Sequence, residues 1–162
     1  MQPLFAQART DKGRVLLPGG RKRAKRDLAR TTLPEAGASA RRHRLLIVDD
    51  DWLISMHLEQ VLTTAGFEIV GTASDAATAI GLAERERPDL VLMDIRLRGS
   101  VDGVEAALEI VDRLGIQSLF VSAHTDPGMI TRALAARPRG WLPKPFTEAE
   151  VLQAVRAALS GQ

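Results

Sequence analysis

Beyond residue 43, two hydrophobic rhythms alternate along the chain. Residues 44–49 (RLLIVD) form a short, unbroken apolar run, the mark of a strand covered on both faces. Behind it Ile54, Leu58, Val61, Leu62 and Ala65 recur at helical spacing, and Gly66 stops the helix. Four further short runs predict strands at 67–73 (FEIVGTA), 89–94 (DLVLMD), 117–122 (QSLFVS) and 139–143 (RGWLP). Between them lie helical patterns. Asp75 is placed to cap one that carries Ala76, Ala79, Ile80 and Ala83 and ends before Pro88. A second spans 103–114, with Val104, Ala107, Leu108 and Val111 on one side, and a third runs from near Pro127 to about Arg137. The last starts at a Thr147 cap and buries Val151, Leu152, Val155, Ala158 and Leu159. Five strands, each followed by a helix, predict an α/β fold: a doubly wound, five-stranded parallel sheet with five helices. Ligands of such sheets bind beyond the carboxyl ends of the strands, where the winding changes direction.

The first 42 residues follow neither rhythm. They hold Pro3, Pro18, Pro34, the pair Gly19-Gly20 and the basic run 21–26 (RKRAKR), with too little apolar surface to offset the entropy of ordering. The expected division is a disordered basic arm at 1–42 and one folded domain at 43–160. Charge follows it closely. Residues 1–44 carry 12 Lys/Arg against 3 Asp/Glu and the remainder 10 against 17, although the whole 162-residue chain is only +2. The basic run suits nucleic-acid phosphates, anionic lipid or an acidic partner. A solvated tail or a start site placed too far upstream accounts for it more simply, and an organelle transit peptide fits less well. The absence of cysteine excludes disulfides, thiolate metal sites and thiol nucleophiles. No apolar run approaches the ~20 residues that cross a bilayer.

The chemistry gathers at the predicted strand ends. The first strand runs into Asp49, Asp50 and Asp51, the third ends in Asp94, the fourth in Ser122, and Lys144-Pro145 follows the fifth. Taken singly these residues say little: Asp51 suits a helix cap, Asp94 a turn. Together they place acids, a hydroxyl and a cation on one edge of the sheet. Like charges about 4 Å apart repel by ~4 kcal/mol at an effective dielectric of 20, so the acids need neutralising or one must hold a proton. An all-oxygen donor set favours a hard ion such as Mg²⁺. With Lys144 and Ser122, the edge suits a phosphoryl group on or beside a carboxylate.

The stretches LLIVDDD (45–51), LVLMDIRL (90–97), DG (102–103), FVSAH (120–124) and GWLPKPF (140–146) resemble, in order and spacing, the receiver domain of two-component response regulators. The resemblance covers the whole domain and implies a flavodoxin-like strand order 2-1-3-4-5. It makes Asp94 the phosphoacceptor, charged by a sensor histidine kinase, a phosphotransfer protein or a small donor such as acetyl phosphate. It assigns Mg²⁺ to Asp49, Asp50, Asp94 and the backbone carbonyl of Arg96, and the phosphoryl oxygens to Lys144, whose bond to Pro145 is expected to be cis. Ser122 and Trp141 become the switch pair, although Trp141 also reads as plain core packing. Arg96 and His124 fall where the family tunes the lifetime of the acyl phosphate, or are simply exposed. Arg98 stands where Pro is common, a change expected to alter the local surface more than the chemistry.

The expected protein is a cytoplasmic switch rather than an enzyme, with only self-catalysed phosphoryl transfer and autodephosphorylation. The chain stops three residues after the last predicted helix, so output is expected through protein contacts or a phosphorelay, with no attached output domain and no membrane insertion. The face of helix four, strand five and helix five is the expected partner surface, or the surface of a homodimer. One competing reading is a nucleic-acid-binding regulator acting through the basic arm. Another is a Mg²⁺-dependent aspartyl-phosphate phosphohydrolase, which needs a carboxylate two residues after the nucleophile, where this chain has Arg96. A receiver that signals without phosphate is disfavoured by the complete set of acids, hydroxyl and lysine.

Overall fold

A computed structural model describes residues 41–123 and 127–161. The expected arm, apart from Arg41 and Arg42, and His124 lie outside the described residues. Five strands alternate with five helices: β1 Arg44–Val48, α1 Trp52–Thr64, β2 Glu68–Ala73, α2 Ala76–Glu86, β3 Leu90–Asp94, α3 Gly103–Leu114, β4 Ser118–Ser122, α4 Pro127–Leu134, β5 Gly140–Pro143 and α5 Glu148–Ser160. All strand pairings are parallel, in the order β2-β1-β3-β4-β5.

The period-2 alternation of the strands sorts the core into two layers. Leu46 and Val48 of β1, Val91 and Met93 of β3 and Phe120 of β4 pack with α2, α3 and α4 through Ala79, Val104, Ile110 and Ala133. Their neighbours Leu45, Ile47, Leu90, Leu92, Leu119 and Val121 pack on the other face with Leu58, Leu62, Val151 and Val155 of α1 and α5. Both faces are covered, so apart from Arg44 and Ser118 at their starts the central strands carry no polar positions until they reach the carboxyl edge. Continued past the strands, the same alternation puts Asp49, Asp94 and Lys144 on the α1/α5 side. Ser122 falls on the α3/α4 side, with Phe120 and Trp141.

The helices begin where the capping chemistry requires. Asp51, Asp75, Asp102 and Thr147 each accept a backbone N–H from the first turn of α1, α2, α3 and α5, and Thr147 with Glu150 completes a capping box. β2, β3, β4 and β5 each start one residue later than expected, and two other ends differ as well. The fourth helix stops at Leu134 rather than near Arg137. Ala135, Ala136 and Arg137 continue it only as a tight turn, donating to carbonyls three residues back, before Arg137 takes φ 48°. The first strand ends at Val48, just before the acids, although the Asp49 N–H still donates to the Ala73 carbonyl at 3.0 Å.

Gly103 fixes how closely α3 approaches the strand end. A Cβ on it would stand 1.8 Å from the backbone carbonyl oxygen of Asp94, and its N–H donates to Ile95 at 2.9 Å. Only glycine lets the start of α3 lie against that backbone.

Candidate functional site

The carboxyl edge of the sheet opens into a cleft lined by Asp49, Asp50, Asp94, Arg96, Ser122 and Lys144 among others. Its geometry follows from three strand ends and one loop. Asp49 is 3% exposed. Its N–H joins Ala73 of β2 at 3.0 Å, and its Oδ1 accepts the Asp51 N–H at 3.0 Å. Ser55 of α1 donates to the Asp49 carbonyl at 3.3 Å, so strand and helix hold this residue from both sides. Asp94, the last residue of β3, is buried and accepts the Arg96 N–H on Oδ1 at 3.2 Å. That leaves one oxygen of each acid for a cation.

Lys144 supplies it. Its Nζ donates to Asp49 Oδ2 at 2.7 Å and to Asp94 Oδ2 at 2.8 Å. The backbone of β4 holds the lysine in register: the Lys144 N–H donates to the Ser122 carbonyl at 3.1 Å. The Lys144–Pro145 bond is cis, as the resemblance implied. Burial works against the charge on Lys144, but its hydrogen bonds to Asp49 and Asp94 outweigh that and hold its pKa above the usual lysine value. For Asp49, burial wins. Its pKa stands above the ordinary carboxylate value despite the opposing pull of Lys144 and of the Asp51 N–H.

Asp50 is the most exposed of the three acids and points its Oδ2 to the guanidinium of Arg98, with Nε at 3.3 Å. Asp49, Asp50 and Asp94 each offer a carboxylate oxygen, and the three oxygens lie within 4.8 Å of one another. Three carboxylates face one shared lysine and one exposed arginine, a donor set of oxygens alone with a surplus of negative charge. That chemistry fits a hard divalent cation.

Sequence reasoning named most of this cleft. Asp49, Asp50, Asp94, Arg96, Ser122 and Lys144 converge on it, while Asp51 caps α1. Trp141 lies away from the acids. It is partly buried and packs on Phe120 with ring centroids 5.0 Å apart. Two features were missed. Arg98, expected to alter the local surface more than the chemistry, reaches Asp50 across 48 residues of sequence. Ser55 under Asp49 was also missed, although a polar residue on the buried face of an apolar helix is a signal in itself.

The sequence profile of the response regulator receiver domain matches residues 45–156. The transcriptional regulatory protein PdtaR of Mycobacterium tuberculosis is 37% identical over 117 residues, covering 72% of this chain and 57% of that protein. The chain thus matches little more than half the length of that relative. The chemotaxis protein CheY of Bacillus subtilis is 34% identical over 120 residues, 73% of this chain and 98% of that one. Among solved structures, the receiver domain of the response regulator NarL from M. tuberculosis superposes with a TM-score of 0.69 at 31% identity, covering 75% of this chain and 98% of that one. The chain belongs to the receiver domain family of two-component response regulators, a family of signalling switches rather than classical enzymes. Among the described residues, no helix is long and apolar enough to cross a membrane.

Proposed function

We propose that the domain, residues 43–160, is a phosphorylation-dependent switch that takes a phosphoryl group on Asp94. The observation that carries this is the ammonium of Lys144, shared between the buried carboxylates of Asp49 and Asp94 at 2.7 and 2.8 Å. A cation already seated on the acceptor carboxylate needs little rearrangement to receive the charge of the transferred group. An Asp94 carboxylate oxygen attacks phosphorus, and the bond from phosphorus to the donor's nitrogen or oxygen breaks, leaving an acyl phosphate. Asp49, Asp50, Asp94 and the Arg96 carbonyl would hold Mg²⁺, which when bound supplies positive charge to the phosphoryl oxygens. Lys144 then turns its hydrogen bonds from the free carboxylate to those oxygens.

The donor is a sensor histidine kinase or a phosphotransfer protein. Ser122, at the end of β4, is the hydroxyl placed to follow the new anion, and Trp141 on the adjoining strand is the ring that responds. Its contact with Phe120 ties it to the layer that α4 covers, so a charge added at the edge is felt on the face of α4, β5 and α5. That face meets the downstream partner or a second copy of the chain. Arg96 and His124 set how long the acyl phosphate survives. The work is done in the cytoplasm, where such kinases present their phosphohistidine.

The test is intact mass after incubation with Mg²⁺ and acetyl phosphate, beside Asp94→Asn and a chelator control. A gain of one phosphoryl group, about 80 Da, that needs both the ion and Asp94 is expected. Equal uptake by Asp94→Asn would refute the assignment.

A further inference from the structure

We infer that Arg98 is a resident counter-cation of Asp50 that a divalent ion must displace, so that this side chain sets the ion concentration at which the cleft loads. The inference rests on the reading of Asp49, Asp50 and Asp94 as the metal ligands.

Lys144 divides itself between Asp49 and Asp94, both buried. The ion pair of the third acid is with Arg98, Nε to Oδ2 at 3.3 Å. Among these paired groups, two cations against three carboxylates leave one negative charge unbalanced. A divalent ion replacing the arginine brings the site to neutrality, which gives the exchange its direction. The exchange is also sterically simple. The Arg98 side chain is 80% exposed, whereas that of Lys144 is only 14% exposed, so the arginine leaves for solvent without disturbing the core. A metal that takes Asp50 Oδ2 competes with the guanidinium for that oxygen. A guanidinium close to a divalent ion is also repelled by it, more strongly at low ionic strength. Arg98 lies on the loop after Asp94, four residues beyond it, so this competition belongs to the same loop that carries the Arg96 carbonyl.

Removing the charge therefore strengthens metal binding. Titration of the full chain with MgCl₂, followed by the amide shifts of Asp50 and Asp51, reads this without any phosphoryl transfer. Arg98→Gln should bind roughly three- to tenfold more tightly than the parent at low salt. Arg98→Lys, which keeps the charge, should stay close to the parent. The gap between Arg98→Gln and the parent should shrink at high salt, since an exposed charge is screened. Asp50→Asn serves as the control that loses a ligand. Parent-like affinity in Arg98→Gln, with Asp50→Asn weakened, would overturn the role of Arg98 and leave the metal site standing. Shifts absent from parent and variants alike would overturn the metal site and the inference with it.

Discussion

Replacing Lys144 by methionine keeps the length and apolar stem of the side chain and deletes the one ammonium that two buried carboxylates share. At 2.7 and 2.8 Å, each contact carries a gross attraction of about 6 kcal/mol at an effective dielectric of 20. Desolvation consumes most of that, and removing one partner of a buried pair usually costs about 3–5 kcal/mol. Here Asp49 limits the loss. Burial already raises its pKa, and losing the lysine raises it further, so protonation becomes a cheaper escape from a bare buried anion. A net loss of about 2–3 kcal/mol at neutral pH follows, or on the order of 10 °C in Tm for a domain of this size. The pH dependence is the sharper part. A carboxyl whose folded pKa is raised binds protons more readily in the native state, so its cost is present above that pKa and fades as pH falls through it toward the unfolded value. The lysine removal enlarges this shift. The difference in Tm between parent and variant should therefore narrow as pH falls below neutrality. In the parent, the raised pKa of Lys144 means its contribution is complete below the unfolded lysine value and disappears only as pH climbs through the folded one. Thermal melts by circular dichroism in chelator measure both. An unchanged Tm at neutral pH, or a difference that stays constant on acidification, would refute the account of the lysine as the neutraliser of Asp49 and Asp94.

Two further outcomes follow from the same geometry. Gly103→Ala sets a Cβ 1.8 Å from the Asp94 carbonyl oxygen, so α3 must move away from the strand end. Denaturant titration should show a loss on the order of 3 kcal/mol, with uptake at Asp94 falling as well. Ser122→Ala should still take up phosphate but pass less of the change onward. Amide shifts in α4 on phosphorylation that match the parent's would contradict a switching role for this hydroxyl.

Much of the molecule was legible in the sequence because its strands are short, apolar and buried on both faces. Runs such as LLIV and LVLM admit few other readings, and the acids interrupt them at the carboxyl edge where they become conspicuous. The caps were equally plain: Asp75, Thr147 and Asp51 stand at the break between rhythms, and each caps its helix. The end of α4 was misjudged because Ala135 and Ala136 are as helical by propensity as what precedes them, and only the left-handed turn at Arg137 marks the stop. The strand order came from resemblance, since periodicity says which segments are strands but not which are neighbours. Arg98 was undervalued for a different reason. Its partner lies 48 residues away, and a long, flexible side chain on a loop leaves no periodic trace of where it reaches. Ser122 and Trp141 were named by position, while the alternation that places them on the α4 side of the sheet needed the observed layers.

The claim on which the rest depends is that Asp94, and neither of its neighbouring acids, carries the phosphoryl group. Borohydride reduction of the protein after treatment with Mg²⁺ and acetyl phosphate converts an aspartyl phosphate to homoserine, which peptide mass spectrometry then locates. The homoserine is predicted at position 94 alone, in the peptide that continues β3. Its appearance at Asp49, Asp50 or Asp51 instead, with Asp94 intact, would contradict the account.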